Sequence, residues 1–248
     1  MNGPGGERLR WLGHATVLLE LDGVRLLTDP LLRARLWHLS RREAVPAVGG
    51  PVDAVLISHV HRDHLDMHSL SALEGTPLVI GPRGLSEELC GRGFDHVVEL
   101  EEGESASVAG VRVLATAALH PTRRGWRSPW VPSLGFVIEG GARIYFAGDT
   151  DVYPEMAQLA PLDLALLPVW GWGPKLGVGH MNPRTAAQAL RLLRPRIAVP
   201  IHWGTYWPAG LRGPGLTQPP HEFASEAGEV APQVEVRILS QGEAMELG

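Results

Sequence analysis

The run His59-Val60-His61-Arg62-Asp63-His64 packs three imidazoles and a carboxylate into six residues. Neutral imidazole nitrogens and carboxylate oxygens are the donors that zinc, manganese and iron accept from proteins. The run follows directly on residues 53–58, whose compact apolar pattern predicts a buried strand. His59 and His61 can reach one ion from the same side. Asp63 and His64, one turn further on, are placed to reach a second. A His-rich surface loop is the competing reading, and the order and tight spacing of the four donors weigh against it.

One loop cannot complete two coordination shells, so further ligands must arrive from other strand ends. Three candidates fit. Apolar residues 111–119 end in His120-Pro121, residues 143–147 end in Gly148-Asp149-Thr150, and residues 197–201 end in His202-Trp203-Gly204. Each delivers a metal-type side chain to a loop marked by Gly or Pro, where sites gather. A lone His after a strand is usually structural, so the three gain weight only beside the first loop. The single cysteine, Cys90, excludes an internal disulfide and a thiolate-rich metal site.

The set His59-x-His61-x-Asp63-His64, His120, Asp149 and His202, in that order, resembles the metallo-β-lactamase superfamily over almost the whole chain. That resemblance implies an α/β (α+β) fold, a four-layer αββα sandwich with metals at one edge. It implies that His59, His61 and His120 hold one divalent ion, that Asp63, His64 and His202 hold another, and that Asp149 bridges them. Zn2+ is the expected ion, with Mn2+ or Fe as alternatives. The strings Trp11-Leu12-Gly13-His14, Leu27-Thr28-Asp29-Pro30, Phe146-Ala147-Gly148-Asp149 and Gly179-His180-Met181-Asn182-Pro183 are similar to the branch that contains N-acylphosphatidylethanolamine-hydrolysing phospholipase D and ascorbate-6-phosphate lactonase.

A hydroxide bridging two cations is a strong nucleophile near neutral pH, because a bound ion lowers the pKa of water from 15.7 to about 7. The expected function is therefore a dinuclear hydrolase acting on a phosphoester in the manner of a phosphodiesterase. A lactonase acting on a phosphorylated sugar acid and a metal-binding protein without turnover are the alternatives. Asp63 is expected both to bind metal and to orient the hydroxide. His180 precedes the N-cap of a helix and by resemblance matches a substrate-contacting histidine, so it is the expected proton donor; a plain loop histidine is the competing reading. Asp29 can orient a ligand imidazole, or simply close an Asp-Pro turn. His14, between two strands, reads equally well as a structural hydrogen-bonding residue. Arg123 and Arg124 can fork onto an anionic group, and a solvated basic loop is the other reading. Trp126 and Trp172 suggest a partly apolar substrate pocket.

The elements that must position these groups are short. Residues 9–12, 16–21, 24–28, 79–80, 97–100, 111–118, 134–139, 143–147, 164–168, 197–201 and 234–239 read as strands, with Asp22-Gly23 a hairpin turn. Residues 183–193 are the clearest helix, capped by Asn182, started by Pro183 and stopped by Pro195. Residues 65–73, 83–91 and 152–159 also read as helical, and 208–220 as a surface loop. This pattern predicts two sheets packed face to face with helices outside, in one domain over residues 1–248. The 248 residues, 44% hydrophobic and 20% charged, suffice for such a core. A net charge of -5 argues against nucleic acid as a partner. The expected partner is a small anionic molecule with an apolar part. Homo-oligomerisation is left open. Residues 31–42, if helical, offer an apolar and a basic face to a membrane surface, against the competing reading of a core-packing segment. Neither a signal peptide nor a spanning run is apparent, which makes the cytoplasm the expected compartment.

Overall fold

A computed structural model describes residues 6–125, 128–170, 176–208 and 216–248. Period-two alternation sets the architecture. Along the strand Thr16–Leu21, Val17, Leu19 and Leu21 join one apolar cluster while Leu18 joins another. Ala54–Leu56 repeats the pattern, with Ala54 and Leu56 on one side and Val55 on the other. Strands apolar on both faces must be covered on both faces.

Seven strands form the first sheet, in the order Ala244–Glu246, Arg8–Gly13, Thr16–Leu21, Val24–Thr28, Ala54–Leu56, Leu78–Pro82 and Val97–Leu100. Seven more form the second, in the order Glu235–Val236, Pro195–Ile201, Leu162–Pro168, Arg143–Phe146, Leu134–Glu139, Val111–Ala117 and Ser105–Val108. Between them lies the largest core cluster, where Trp11, Leu26 and Ile80 of the first sheet meet Phe136, Phe146 and Val199 of the second. Helices Met67–Ser71 and Leu85–Leu89 cover the outer face of the first sheet through Leu70, Leu85 and Leu89. Helices Pro183–Leu193 and Pro219–Val230 cover the second through Leu190 and Phe223. The result is the expected αββα sandwich.

Strand direction determines where the chemistry collects. Arg143–Phe146, Leu162–Pro168 and Pro195–Ile201 run parallel. Val111–Ala117 is antiparallel to Leu134–Glu139, itself antiparallel to Arg143–Phe146, so two reversals return it to the same direction. All four therefore end on one edge. Ala54–Leu56 ends there too, since the Leu134 N–H donates to Ser58 O at 2.9 Å and stitches the two sheets together.

Three readings are settled or corrected by the structure. Residues 31–42, left open between a helix with a membrane-facing side and a core-packing segment, are a core-packing segment without helix. They fold into a hairpin of Arg35–Leu36 and Leu39–Arg41, extended by Tyr206–Pro208. Leu31, Leu36 and Leu39 are buried with Tyr206, so the apolar side that suggested membrane contact faces inward. Helix Pro219–Val230 follows directly where a loop was expected to end. Its paired prolines fit the first helical turn, where a missing N–H costs nothing. The 152–159 segment is a 3-10 turn at Pro154–Leu159. Strands Ser105–Val108 and Ala244–Glu246 were not expected, because each is a short edge strand with little apolar content.

Candidate metal centre

Four of these strand ends bring all seven expected ligands together. His59 Nε2 and His120 Nε2 each lie 3.1 Å from His61 Nδ1. His64 Nε2 lies 3.2 Å from His202 Nε2 and 3.7 Å from Asp63 Oδ2. Asp149 sits between the two groups. Its Oδ2 is 3.3 Å from His64 Nε2 and 3.9 Å from His59 Nε2, and its Oδ1 is 3.4 Å from His202 Nε2.

Local backbone makes this convergence possible. Gly148 adopts φ +59°, and a Cβ there would stand 2.6 Å from that of Ser58. Only glycine lets the Asp149 loop press against the strand carrying His59. His202 holds φ +61°, uncommon for a residue with a side chain, and its N–H donates to His14 O at 2.9 Å.

The remaining ring nitrogens fix which atoms face inward. His59 Nδ1 donates to Ser58 Oγ at 2.9 Å, and Ser58 Oγ donates onward to Asp29 Oδ2 at 2.5 Å. Asp29 Oδ2 also accepts from His64 Nδ1 at 2.7 Å, and its Oδ1 accepts from the Ser58 N–H at 2.7 Å. His120 Nδ1 donates to Gly179 O at 3.0 Å, and His202 Nδ1 to Trp170 O at 2.8 Å. His59, His120 and His202 thus spend their one proton outward and turn an Nε2 lone pair into the cluster, the arrangement that orients metal-bound histidines, and His64 would do the same once a cation displaced its Nε2 proton.

A proton on His61 Nδ1 could bridge only one of these 3.1 Å contacts, whereas a cation among the three nitrogens would satisfy every lone pair. Zinc with Zn–N bonds near 2.0–2.1 Å would hold its tetrahedral ligands about 3.3 Å apart. In addition, Asp149 Oδ1 is buried and accepts no hydrogen bond. An orphaned carboxylate oxygen beside convergent lone pairs fits a positive ion. One such group comprises His59, His61 and His120. A second comprises Asp63, His64 and His202, together with His14.

The electrostatics agree. Burial penalises charge on Asp63 and Asp149, yet surrounding imidazoles outweigh it, His64 foremost for Asp63 and His202 for Asp149, and hold both well below the usual carboxylate range. Burial also opposes a proton on His64, but Asp149, Asp63 and Asp29 push it well above 6.5. Burial lowers His14, His59, His61, His120 and His202, with His120 falling to about 4.

These directions predict acid lability of the metal-free protein. A histidine with a depressed folded pKa leaves the unfolded chain binding more protons as pH falls below about 6.5, which favours unfolding. The two carboxylates act in the same sense at lower pH, while His64 opposes. Urea midpoints of chelated protein should therefore drop between about pH 7 and about pH 5. A flat profile would contradict the imidazole environment described.

Asp29, its carboxylate shared by the His59 and His64 rings, should tune affinity. Asp29→Asn is expected to weaken metal binding by roughly 10–100-fold, read by competition with a chromogenic chelator.

His180 also reaches the cluster. Its Nε2 is 3.4 Å from Asp149 Oδ2 and its Nδ1 is 3.2 Å from Gly177 O. With a fifth of its side chain exposed, it borders the opening. Burial opposes its proton, but Asp149 prevails and raises it above 6.5.

The arginines behave differently. The Arg124 Nη1 donates to Val60 O at 3.2 Å and Leu65 O at 2.8 Å, and its Nε faces Glu88 at 3.4 Å. Its guanidinium therefore clamps the ligand loop to the helix Leu85–Leu89. Arg123 stacks over Trp130, 5.1 Å from the ring centre. Trp126 and Trp172 lie outside the described residues. An apolar groove of about 820 Å³ runs from His120 past Leu119, Trp130 and Val178. These three side chains are conspicuously exposed, Val178 by 86%. Gly179, at φ +81°, closes against the His120 backbone where a Cβ would meet Leu119 O at 2.5 Å. Sequence reading missed the carbonyls of Gly179 and Trp170 as imidazole partners, since a carbonyl leaves no trace in residue type.

Residues 24–203 match the family model described as a Beta-lactamase superfamily domain. A UPF0173 metal-dependent hydrolase of Methanopyrus kandleri is 33% identical over 96% of this chain and 99% of its own length. A UPF0173 metal-dependent hydrolase of Rubrobacter xylanophilus is 34% identical over 98% of this chain and 97% of its own. Among solved structures, the metallo hydrolase Igni18 of Ignicoccus hospitalis superposes with a TM-score of 0.75 at 24% identity, covering 96% of this chain and 97% of its own.

Proposed function

This chain belongs to the metallo-β-lactamase superfamily and is a metal-dependent hydrolase, and from that premise we propose that it cleaves a phosphoester with two divalent cations, zinc first among them. The observation that carries the reading is the pair of donor groups meeting at Asp149. Side chains that hold two ions side by side suit in-line displacement at phosphorus, where the entering and leaving oxygens both need stabilising. When bound, such ions acidify water and polarise the phosphoryl oxygen.

The protein's own groups supply the rest. His59, His61 and His120 would hold one ion, Asp63, His64 and His202 the other, with Asp149 shared. His180, kept protonated by Asp149, donates its Nε2 proton to the departing oxygen. The groove along Leu119, Trp130 and Val178 seats the apolar part of the substrate. Arg123, at the groove's Trp130 wall, offers a cation to an anionic group.

The test compares bis(p-nitrophenyl) phosphate with simple lactones, using metal-loaded protein. Diester turnover is expected, with His180→Gln lowering kcat at unchanged metal content. Turnover confined to lactones would overturn the phosphoester reading.

A further inference from the structure

We propose that His14 is itself a ligand of the second cation, giving that half of the centre one more protein donor than the other. The inference rests on the two-ion reading above. His14 is 3% exposed, and its Nε2 lies 3.3 Å from Asp63 Oδ2. Its ring centre stands 3.9 Å from that of His202 and 5.2 Å from that of His64. Ligand atoms of His14, Asp63, His64 and His202 all fall within 4.8 Å of one another.

The backbone is built to place this ring. His14 holds φ +53°, in a turn where glycine would rest without strain. A residue with a side chain persists in such a position only where its surroundings enforce it. They do so here. The His14 N–H donates to Thr205 Oγ1 at 2.6 Å, while its carbonyl accepts from Trp11 Nε1 and from the His202 N–H, each at 2.9 Å. The last of these bonds couples His14 directly to an expected ligand.

The competing arrangement has a Nε2 proton donated to Asp63, which would make His14 a positioning residue. The two differ in donor count. With His14 bound, the second ion has five protein donors, namely His14, Asp63, His64, His202 and Asp149, against four for the first, namely His59, His61, His120 and Asp149. Five donors plus a water suit ions that accept six ligands, such as Fe2+ or Co2+, over tetrahedral zinc.

The test loads the full chain with Co2+ and counts hyperfine-shifted, exchangeable imidazole N–H signals by proton NMR. Six are expected, one each from His14, His59, His61, His64, His120 and His202. His14→Asn should remove one signal, strengthen the visible Co2+ absorption as coordination number falls, and weaken the second equivalent by at least about tenfold. Asparagine is chosen because it tolerates positive φ. Five signals in the native chain, or a variant with unchanged signals and second-ion affinity, would overturn the assignment even if the variant folds poorly, since the native count stands alone. Uptake of a single equivalent by the native chain would instead refute the two-ion reading, and this proposal with it.

Discussion

Asp149→Ala should reduce hydrolysis by on the order of a thousandfold or more, equivalent to about 4 kcal/mol of transition-state stabilisation. The size follows from position. Asp149 faces both donor groups, with one oxygen toward His59 and His64 and the other toward His202. On the two-ion reading its removal takes a donor from each ion at once. It also leaves His64 with fewer carboxylates to balance its charge, and removes the partner that keeps His180 protonated. Metal analysis of the variant should show loss of ions in parallel with loss of turnover. Full metal content with native rates would show that Asp149 is not shared between the two groups.

Chelation should destabilise the protein without unfolding it. A ligand present at a thousand times its dissociation constant adds about 4 kcal/mol to the folded state. For a chain of this size each kcal/mol corresponds to roughly 2–4 °C. Metal removal is therefore expected to lower the thermal midpoint by about 10 °C, measured by calorimetry before and after chelation and again after reloading. The fold should persist, because the core between the sheets and the two helical layers do not depend on the ions. An unchanged midpoint would contradict ion binding at the buried cluster.

The convergence of the donor set was legible because metal chemistry restricts residue type and because strand ends are marked by the apolar runs before them. His59 to His64, His120, Asp149 and His202 all follow that rule. Asp29 was readable for a similar reason, as an acid at a strand end. His14 was not, since one histidine in a turn gives the same signal whether it faces a carbonyl or a cluster, and only the meeting of residues 14, 63 and 202 decides. The structural role of Arg124 was not legible for the opposite reason. Its charge suggested an anion, but packing placed it behind the loop, where main-chain carbonyls and Glu88 take up its donors. The hairpin at residues 31–42 defeated periodicity because Leu31, Leu36 and Leu39 face Tyr206, a partner more than 160 residues away.

The hydrogen bond from Leu134 to Ser58 joins two sheets that each hold only part of the donor set. During synthesis, the strands of the first sheet up to Leu100 emerge with His59, His61, Asp63 and His64 before His120, Asp149 or His202. On the two-ion reading, capture of the ion that His202 would help to hold must wait until the strand Pro195–Ile201 has docked beside its neighbours. Ion uptake thereby becomes a late checkpoint on assembly, and a chain stopped short of His202 would release what it had loosely gathered.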